Sequence, residues 1–378
     1  MIYKGDMNMK DQREKIITAI ILSLFVFALF SIIVFSTSEL NLSAKSAVLY
    51  EPESGRFLYK KNASAPLAMA STTKIMTALI ALENSSPEEL VTIPPEACGI
   101  EGSSLYLKKG ETFYMKDLLF GLMLRSANDA AEAIAYHISG SIEDFAALMN
   151  SKARELKLSS TNFKNPHGLD DPEHYTTSEE LAIITAEALK NPLFKQIVST
   201  KRTTVTNTDG ESRLIVNHNK LLSMYDGAYG VKTGFTKRSG RSLVGAAEKN
   251  GLSFITVTIN APDDWSDHIK MFDFGFSTLE KRIVAEKGQF SDRIPVVGGE
   301  GDFVKVTNEE PFSVIVGKNS DKIATHVRMH RYLAAPIKKG DVVGTVIFTM
   351  QNKTLGKINI IAEEDVNTPK KKGFFSIF

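Results

Sequence analysis

Ala70-Ser71-Thr72-Thr73-Lys74-Ile75-Met76-Thr77 sets a hydroxyl and an amine three residues apart at the start of an apolar run. If the run from Ile75 to Leu82 is helical, Ser71 and Lys74 share a face and stand one above the other. A serine hydroxyl is a weak nucleophile at neutral pH and needs an adjacent base. A lysine serves as that base only where burial or a second cation lowers its pKa. This is the only Ser-x-x-Lys in the chain. Most such pairs in proteins are solvated helix surface, so the motif needs partners.

Outward from this stretch, the pattern reads as one mixed domain. Ser46 to Tyr50 and Phe57 to Tyr59, joined through Pro52 and Gly55, predict a β-hairpin ahead of the Ser71 helix. Behind it come helices over Met115 to Leu124, Ala130 to Ile138 with Gly140 as the stop, a segment capped by Ser141, and one capped by Thr177 or Ser178. After about Thr204 the texture turns to strands. Tyr229 to Phe235 reads as one, and Ser242 to Ala247 with Leu252 to Ile259 flank Asn250-Gly251, a pair suited to a tight hairpin turn. Trp265 to Leu279 is a helix with Ile269, Phe272 and Phe276 on one side. From about Lys281 only short alternating strands follow, which predicts a separate all-β module.

Composition narrows the function. The 378 residues suffice for two or three domains, and 43% hydrophobic with 24% charged residues is ordinary for a globular protein. A formal net charge of +1 gives no electrostatic case for nucleic-acid binding. The single cysteine, Cys98, excludes an intramolecular disulfide framework and a cysteine-built zinc site, and reads as a buried or indifferent thiol. Of seven histidines only His326 and His330 stand at metal-ligand spacing, and they lie in a stretch alternating like an exposed strand. No metal and no cofactor is expected.

The amino terminus carries an address. Lys4, Lys10, Arg13 and Lys15 precede an apolar run from Ile16 to Phe35, and no basic residue follows until Lys45. That run is long enough to cross a bilayer, with the amino end cytoplasmic and the rest exported. Ser36-Thr37-Ser38 offers a small-residue cleavage site, so a signal and a permanent anchor both fit, the length favouring the anchor. The expected domains are 1–38 signal or anchor, 39–280 catalytic, 281–366 β-domain and 367–378 a basic and aromatic tail. Lys370 to Lys372 with Phe374 and Phe375 fit either a lipid-surface contact or a disordered end.

Two further short signals follow Ser71. Ser126-Ala127-Asn128 falls at the junction of two apolar helices, although Ser160-Thr161-Asn162 shows how cheap that pattern is. Lys232-Thr233-Gly234, on a predicted strand, occurs once. Their chemistry fits a single site. Ser71 is the nucleophile, Lys74 its base, and Lys232 keeps Lys74 neutral. Ser126 relays the proton and Asn128 bonds a substrate amide. Lys232 and the Thr233 hydroxyl suit a carboxylate, and Gly234 lets a ligand backbone approach. The backbone N–H groups of Ser71 and Phe235 are candidates for an oxyanion hole.

At these residues the chain resembles the serine D-alanyl-D-alanine carboxypeptidases, low-molecular-mass penicillin-binding proteins related to class A β-lactamases. Ser71-Thr72-Thr73-Lys74, Ser126-Ala127-Asn128 and Lys232-Thr233-Gly234 match the three motifs in order. Asn165-Pro166-His167-Gly168-Leu169-Asp170 and Ala335-Pro336-Ile337-Lys338-Lys339-Gly340 extend the resemblance, which covers about Ala44 to Glu364. It implies a mixed α/β fold: an antiparallel sheet flanked by helices, a helical subdomain, and a small all-β domain behind. It implies removal of the terminal D-alanine from peptidoglycan stem peptides through an acyl-enzyme on Ser71, without metal, and β-lactam antibiotics as acylating inhibitors. Many members end in an amphipathic anchoring helix. The residues after Thr368 are too few for one, which shifts the weight of membrane attachment and lipid contact to the amino-terminal run.

Two other readings compete. A class A β-lactamase uses a glutamate in a Glu-x-x-Leu-Asn loop between the second and third motifs, and no such string lies between Asn128 and Lys232. A catalytically weak wall-binding scaffold on the same fold is disfavoured by three intact motifs. His167 reads as a structural loop histidine, because serine-lysine chemistry needs no imidazole.

Overall fold

The computed structural model describes residues 40–369. The amino-terminal run Ile16 to Phe35 and the tail from Lys370 lie outside the described residues, among which no helix is long and apolar enough to cross a membrane.

Strands β1 (Ser46–Glu51) and β2 (Arg56–Lys61) form the expected hairpin. A 3-10 turn, Ala70–Thr73, runs straight into helix α1 (Lys74–Asn84), whose residues from Lys74 to Ala81 are all buried. The helical part continues after the small pair β3 (Leu90–Thr92) and β4 (Thr112–Tyr114). It comprises α2 (Met115–Phe120), α3 (Asn128–Ser139), α4 (Ile142–Glu155), α5 (Ser178–Leu189) and α6 (Pro192–Ser199). Its boundaries follow local chemistry. Gly140 at φ 77° ends α3, and the hydroxyls of Ser141 and Thr177 accept N–H bonds that cap α4 and α5. The expected helix from Met115 to Leu124 changes character part-way: α2 gives way to a wider, underwound π-helical turn, Gly121–Arg125, which leads the chain into Ser126.

A second small hairpin, β5 (Arg202–Thr206) with β6 (Ser212–Val216), and the short α7 (Leu221–Met224) lead back to the main sheet. There β7 (Ala228–Thr236), β8 (Gly240–Lys249) and β9 (Leu252–Ile259) complete five antiparallel strands in the order β2-β1-β9-β8-β7. Lys249 pairs with Leu252 across Asn250 and Gly251, both at positive φ, so the β8–β9 turn is the two-residue hairpin read from Asn-Gly. Alternation along β9 sends Ile255, Val257 and Ile259 into the core shared with the helices. Phe254, Thr256 and Thr258 point the other way, onto α8 (Asp264–Thr278). The sheet is covered on both faces, and β7 is left as an outer strand.

Strand β10 (Leu279–Ala285) starts where α8 stops, so the boundary expected at 280 falls inside a strand. β10 pairs with β13 (Phe312–Gly317), while β14 (Ala324–Met329), β16 (Val342–Met350), β17 (Lys353–Ala362), β12 (Phe303–Thr307), β11 (Asp292–Val297) and β15 (Leu333–Ala334) make a six-stranded sheet in that order. Val304, Val346, Phe348 and Ile360 give this part a core of its own, with Phe312 stacked on Phe348 at 4.4 Å between ring centroids. His326 lies in β14 with its Nε2 3.1 Å from Thr349 Oγ1, and His330 lies just past that strand.

Candidate active site

The Ala70–Thr73 turn is tied to itself. Thr72 Oγ1 donates to the Met69 carbonyl at 2.6 Å and Thr73 Oγ1 to the Ala70 carbonyl at 2.8 Å. The residues between Ser71 and Lys74 therefore fix the turn that presents Ser71. The Asn165–Asp170 loop locks against the same turn. Gly168 sits at φ 88°, and a Cβ there would fall 1.9 Å from the Ala70 carbonyl oxygen, so only glycine allows the approach. His174 braces the far side: its Nδ1 accepts the Lys164 N–H at 3.0 Å, which leaves its Nε2–H, 2.7 Å from Thr73 Oγ1, to donate. Burial lowers the His174 pKa to about 4, so the ring is neutral.

Lys74 is fully buried, and its Nζ lies 2.6 Å from the His167 carbonyl, 2.7 Å from Asn128 Oδ1 and 3.1 Å from Ser71 Oγ. The carbonyl and the carboxamide oxygen can only accept. A neutral amine spends its two hydrogens on them and turns its lone pair to Ser71. Burial first, and then the charge of Lys232, hold the Lys74 pKa well below the usual lysine range, with Asp129 opposing. The pair is thus a hydroxyl facing an amine whose charged form is disfavoured.

The other motifs converge here. The π-helical turn delivers Ser126 at φ 64°, where it lines a cleft of about 440 Å³ together with Ser71, Thr233, Gly234 and Phe235. None of the three bonds of Lys74 goes to Ser126. Asn128 is less free than expected: Oδ1 is held by Lys74, Nδ2 donates to the Glu101 carbonyl at 2.5 Å, and the residue is 4% exposed. The outer strand β7 runs beside the nucleophile turn, since a Cβ on Gly234 would come within 3.1 Å of the Ser71 nitrogen. Lys232 does not line the cleft. It is buried, its Nζ donates to the Thr233 carbonyl at 2.9 Å, and burial lowers its pKa to about 7.

Sequence reasoning missed several cleft residues. Ser103, His218, Lys220, Arg241, Asp264 and Trp265 line it with the motif residues. Arg241 is the notable one: a half-exposed guanidinium whose Nη2 donates to Asp264 Oδ1 at 2.8 Å, stacked 5.8 Å from the Trp265 ring. Asp129 was missed too. Its buried carboxylate accepts from the backbone N–H groups of Leu105 and Leu107 and from Ser104 Oγ, fixing the loop that carries Ser103. These residues come from separate segments, and only Asp129, directly after Ser126-Ala127-Asn128, had a nearby signal.

A family model described as D-alanyl-D-alanine carboxypeptidase matches residues 33–263, more than half of the chain. The chain belongs to this family. A second model, the C-terminal domain of penicillin-binding protein 5, matches residues 279–368. D-alanyl-D-alanine carboxypeptidase DacF of Bacillus subtilis is 35% identical over 350 residues, 90% of this chain and 89% of the relative. Among solved structures, penicillin-binding protein 5 of Haemophilus influenzae is 29% identical with a TM-score of 0.64, covering 87% of this chain and all but 2% of that one, at 98%. The DD-transpeptidase of Streptomyces K15 covers 63% of this chain and 98% of its own, with 32% identity and a TM-score of 0.60. The protein is accordingly a serine D-Ala-D-Ala carboxypeptidase of mixed α/β fold, with an all-β domain behind its catalytic part. The carboxypeptidase acts on peptides ending in D-alanyl-D-alanine, and penicillin binding is consistent with its relatives.

Proposed function

We propose that Ser71 is the nucleophile of this carboxypeptidase and that neutral Lys74 is its base. Ser71 Oγ attacks the carbonyl carbon of the penultimate D-alanine while its proton passes to Lys74 Nζ. The resulting oxyanion sits between the N–H groups of Ser71 and Phe235. Collapse breaks the C–N bond, the departing D-alanine amine takes a proton, with Ser126 as relay, and the peptide remains as an ester on Ser71. Water then attacks the ester, and Ser71 regains its proton. The observation that carries this reading is the Lys74 amine, buried and facing Ser71 Oγ at 3.1 Å with its other two neighbours able only to accept.

The terminal carboxylate rests on the Thr233 hydroxyl and on Arg241, with Lys232 contributing its charge from beneath the strand rather than by contact. Asn128 positions Lys74 through Oδ1 and keeps one Nδ2 hydrogen for a substrate amide. Gly234 leaves room for the substrate backbone along the outer edge of β7. Catalysis draws on residues 71 to 265 within the domain at 39–280, and the β-domain at 281–366 holds the site away from the membrane.

Penicillin acylates Ser71 in the same way, its β-lactam C–N bond opening with the amine still tethered. Among the described residues lining the cleft, Asp264 is the only carboxylate, and it is paired with Arg241. With that carboxylate engaged by Arg241, the site favours slow release over β-lactamase turnover. The enzyme works outside the cytoplasm on peptidoglycan stem peptides, held by Ile16 to Phe35, with Lys370 to Lys372 and Phe374, Phe375 and Phe378 adding a salt-sensitive lipid contact. Labelled penicillin followed by peptide mapping tests the assignment: an adduct on Ser71 that outlasts isolation supports it, and labelling of Ser71→Ala overturns it.

A further inference from the structure

A groove of about 710 Å³ adjoins the cleft. The two share walls. Ser103 lines the cleft and Ser104 the groove, and Ser126 lines the cleft and Arg125 the groove. The loop on one side is held by the buried Asp129 carboxylate, so this wall is built rather than loose. Tyr106 and Leu214, 77% and 71% exposed, stand on the rim as apolar surface.

Charge in the groove is unbalanced. Lys108, Arg125 and Arg213 line it against a single carboxylate, Glu211. Glu211 is shared by Lys108 at 3.5 Å and Arg213 at 3.9 Å, and Arg213 also pairs with the buried Glu111 at 2.5 Å. Arg213 Nη1 remains buried without a partner. The Arg125 guanidinium forms no ion pair or hydrogen bond among the described residues, and its charge acts on His218 at the cleft wall, where burial first and then Lys232 and Arg125 lower the histidine pKa. One unpaired guanidinium therefore stands between cleft and groove.

We propose that this groove is the subsite for the peptide upstream of the scissile bond, and that Arg125 binds a carboxylate carried there. The proposal rests on the reading above, in which the terminal carboxylate lies at Thr233 and Arg241. With the chain end fixed on that wall, the rest of the peptide leaves past Ser103 and Ser126, where the groove begins. A guanidinium offers two parallel donors to a carboxylate and discriminates it from a carboxamide. The Tyr106 and Leu214 surfaces take the apolar part of the same segment.

Two peptides test this, both ending in D-Ala-D-Ala, one with a side-chain carboxylate upstream and the other with the corresponding carboxamide. The full chain is expected to prefer the acid peptide in kcat/KM by about tenfold. Arg125→Gln should erase that preference, leave the carboxamide peptide unchanged, and leave the rate of benzylpenicillin acylation unchanged, since the acylamino side chain of benzylpenicillin carries no carboxylate. Lys108→Gln should lower the acid peptide's kcat/KM by a smaller factor. Equal kcat/KM for the two peptides in the unmutated enzyme overturns the subsite while leaving the enzyme assignment intact. A preference that survives Arg125→Gln places the carboxylate elsewhere and also overturns it. Loss of penicillin acylation together with peptide hydrolysis in Arg125→Gln would make Arg125 a structural residue and refute the proposal. Hydrolysis of neither peptide by the unmutated enzyme would strike at the carboxypeptidase reading itself.

Discussion

Lys74 and Lys232 are both fully buried lysines behind one cleft, yet their surroundings differ in kind. Lys74 has three fixed neighbours, Ser71 Oγ, Asn128 Oδ1 and the His167 carbonyl, each from a different segment. Lys232 has one, the carbonyl of the next residue on its own strand. The Lys74 pKa falls well below the ordinary range because burial is reinforced by a second cation, whereas Lys232 falls to about 7 through burial alone. The first lysine is orientated and biased toward its neutral form, which a proton acceptor needs. The second sits near its titration point and is orientated by nothing beyond its strand, which suits a source of charge. The same residue type performs different tasks because geometry surrounds one and not the other.

The largest effect follows from removing the orientated amine. Lys74→Ala should slow penicillin acylation by roughly 10³-fold or more, in the range expected for loss of a positioned base. Ser71→Ala should abolish the adduct. Stopped-flow acylation rates check the first, and intact-protein mass spectrometry the second. A Lys74→Ala enzyme acylated within tenfold of the parent rate would break the comparison, because the proton would then be leaving Ser71 by another route.

Lys232→Ala should act mainly through pH. Protonated Lys232 disfavours a second cation at Lys74, so its removal raises the Lys74 pKa and moves the rising limb of the acylation profile to higher pH. Lys232 itself loses its proton near pH 7, so its influence is present below that value and fades above it. The variant should fall behind by roughly 10- to 100-fold on the acid side and approach the parent on the alkaline side. Parallel profiles at all pH values would mean that Lys232 acts by contact instead of by charge.

The contrast also explains what could be read from the chain. Ser71 and Lys74 are three residues apart, so helical periodicity alone puts them on one face, and the hairpin at Asn250-Gly251 follows from positive φ at both turn residues. The π-helical turn at Gly121–Arg125 escaped because an apolar run carries the same pattern whether it closes α or π turns. Arg241 escaped for a different reason. It faces Phe235 across the β7–β8 ladder, a neighbour set by register, and no short motif records it. Likewise the burial of Lys232 depends on which face of β7 turns inward, whereas the sequence offered only a cation beside a hydroxyl. Asn128 shows the converse: its position was legible, but its two internal bonds depend on the Glu101 loop and on Lys74.

If Lys232 supplies field and Arg241 supplies contact, the two should separate by substrate. Arg241→Gln should reduce kcat/KM about tenfold for a peptide with a free terminal carboxylate and leave a peptide amide nearly unaffected. Salt should diminish the effect, since Arg241 is half-exposed and Lys232 is not. A free-terminus preference retained in Arg241→Gln and lost in Lys232→Ala would reverse the roles assigned here.

The smallest effect concerns the brace that Lys74 has and Lys232 lacks. His174 holds Thr73, which holds the Ala70 carbonyl, against which Gly168 packs beside the His167 carbonyl that binds Lys74. His174→Ala leaves the Lys164 N–H without its acceptor and frees the turn. A fall in Tm of about 3–6 °C is expected, with a several-fold loss in acylation rate. The pH dependence has a defined sign. His174 titrates at about 4 in the folded chain against an ordinary histidine value of 6.5, so between these values the unfolded chain binds more protons. The stability due to neutral His174 is complete above about pH 6.5 and is lost progressively as pH falls toward about 4. The variant should therefore lose stability less steeply than the parent across that window. Equal slopes in urea unfolding at several pH values would show that His174 does not carry the proton linkage, and the brace would then rest on Gly168 and the His167 carbonyl alone.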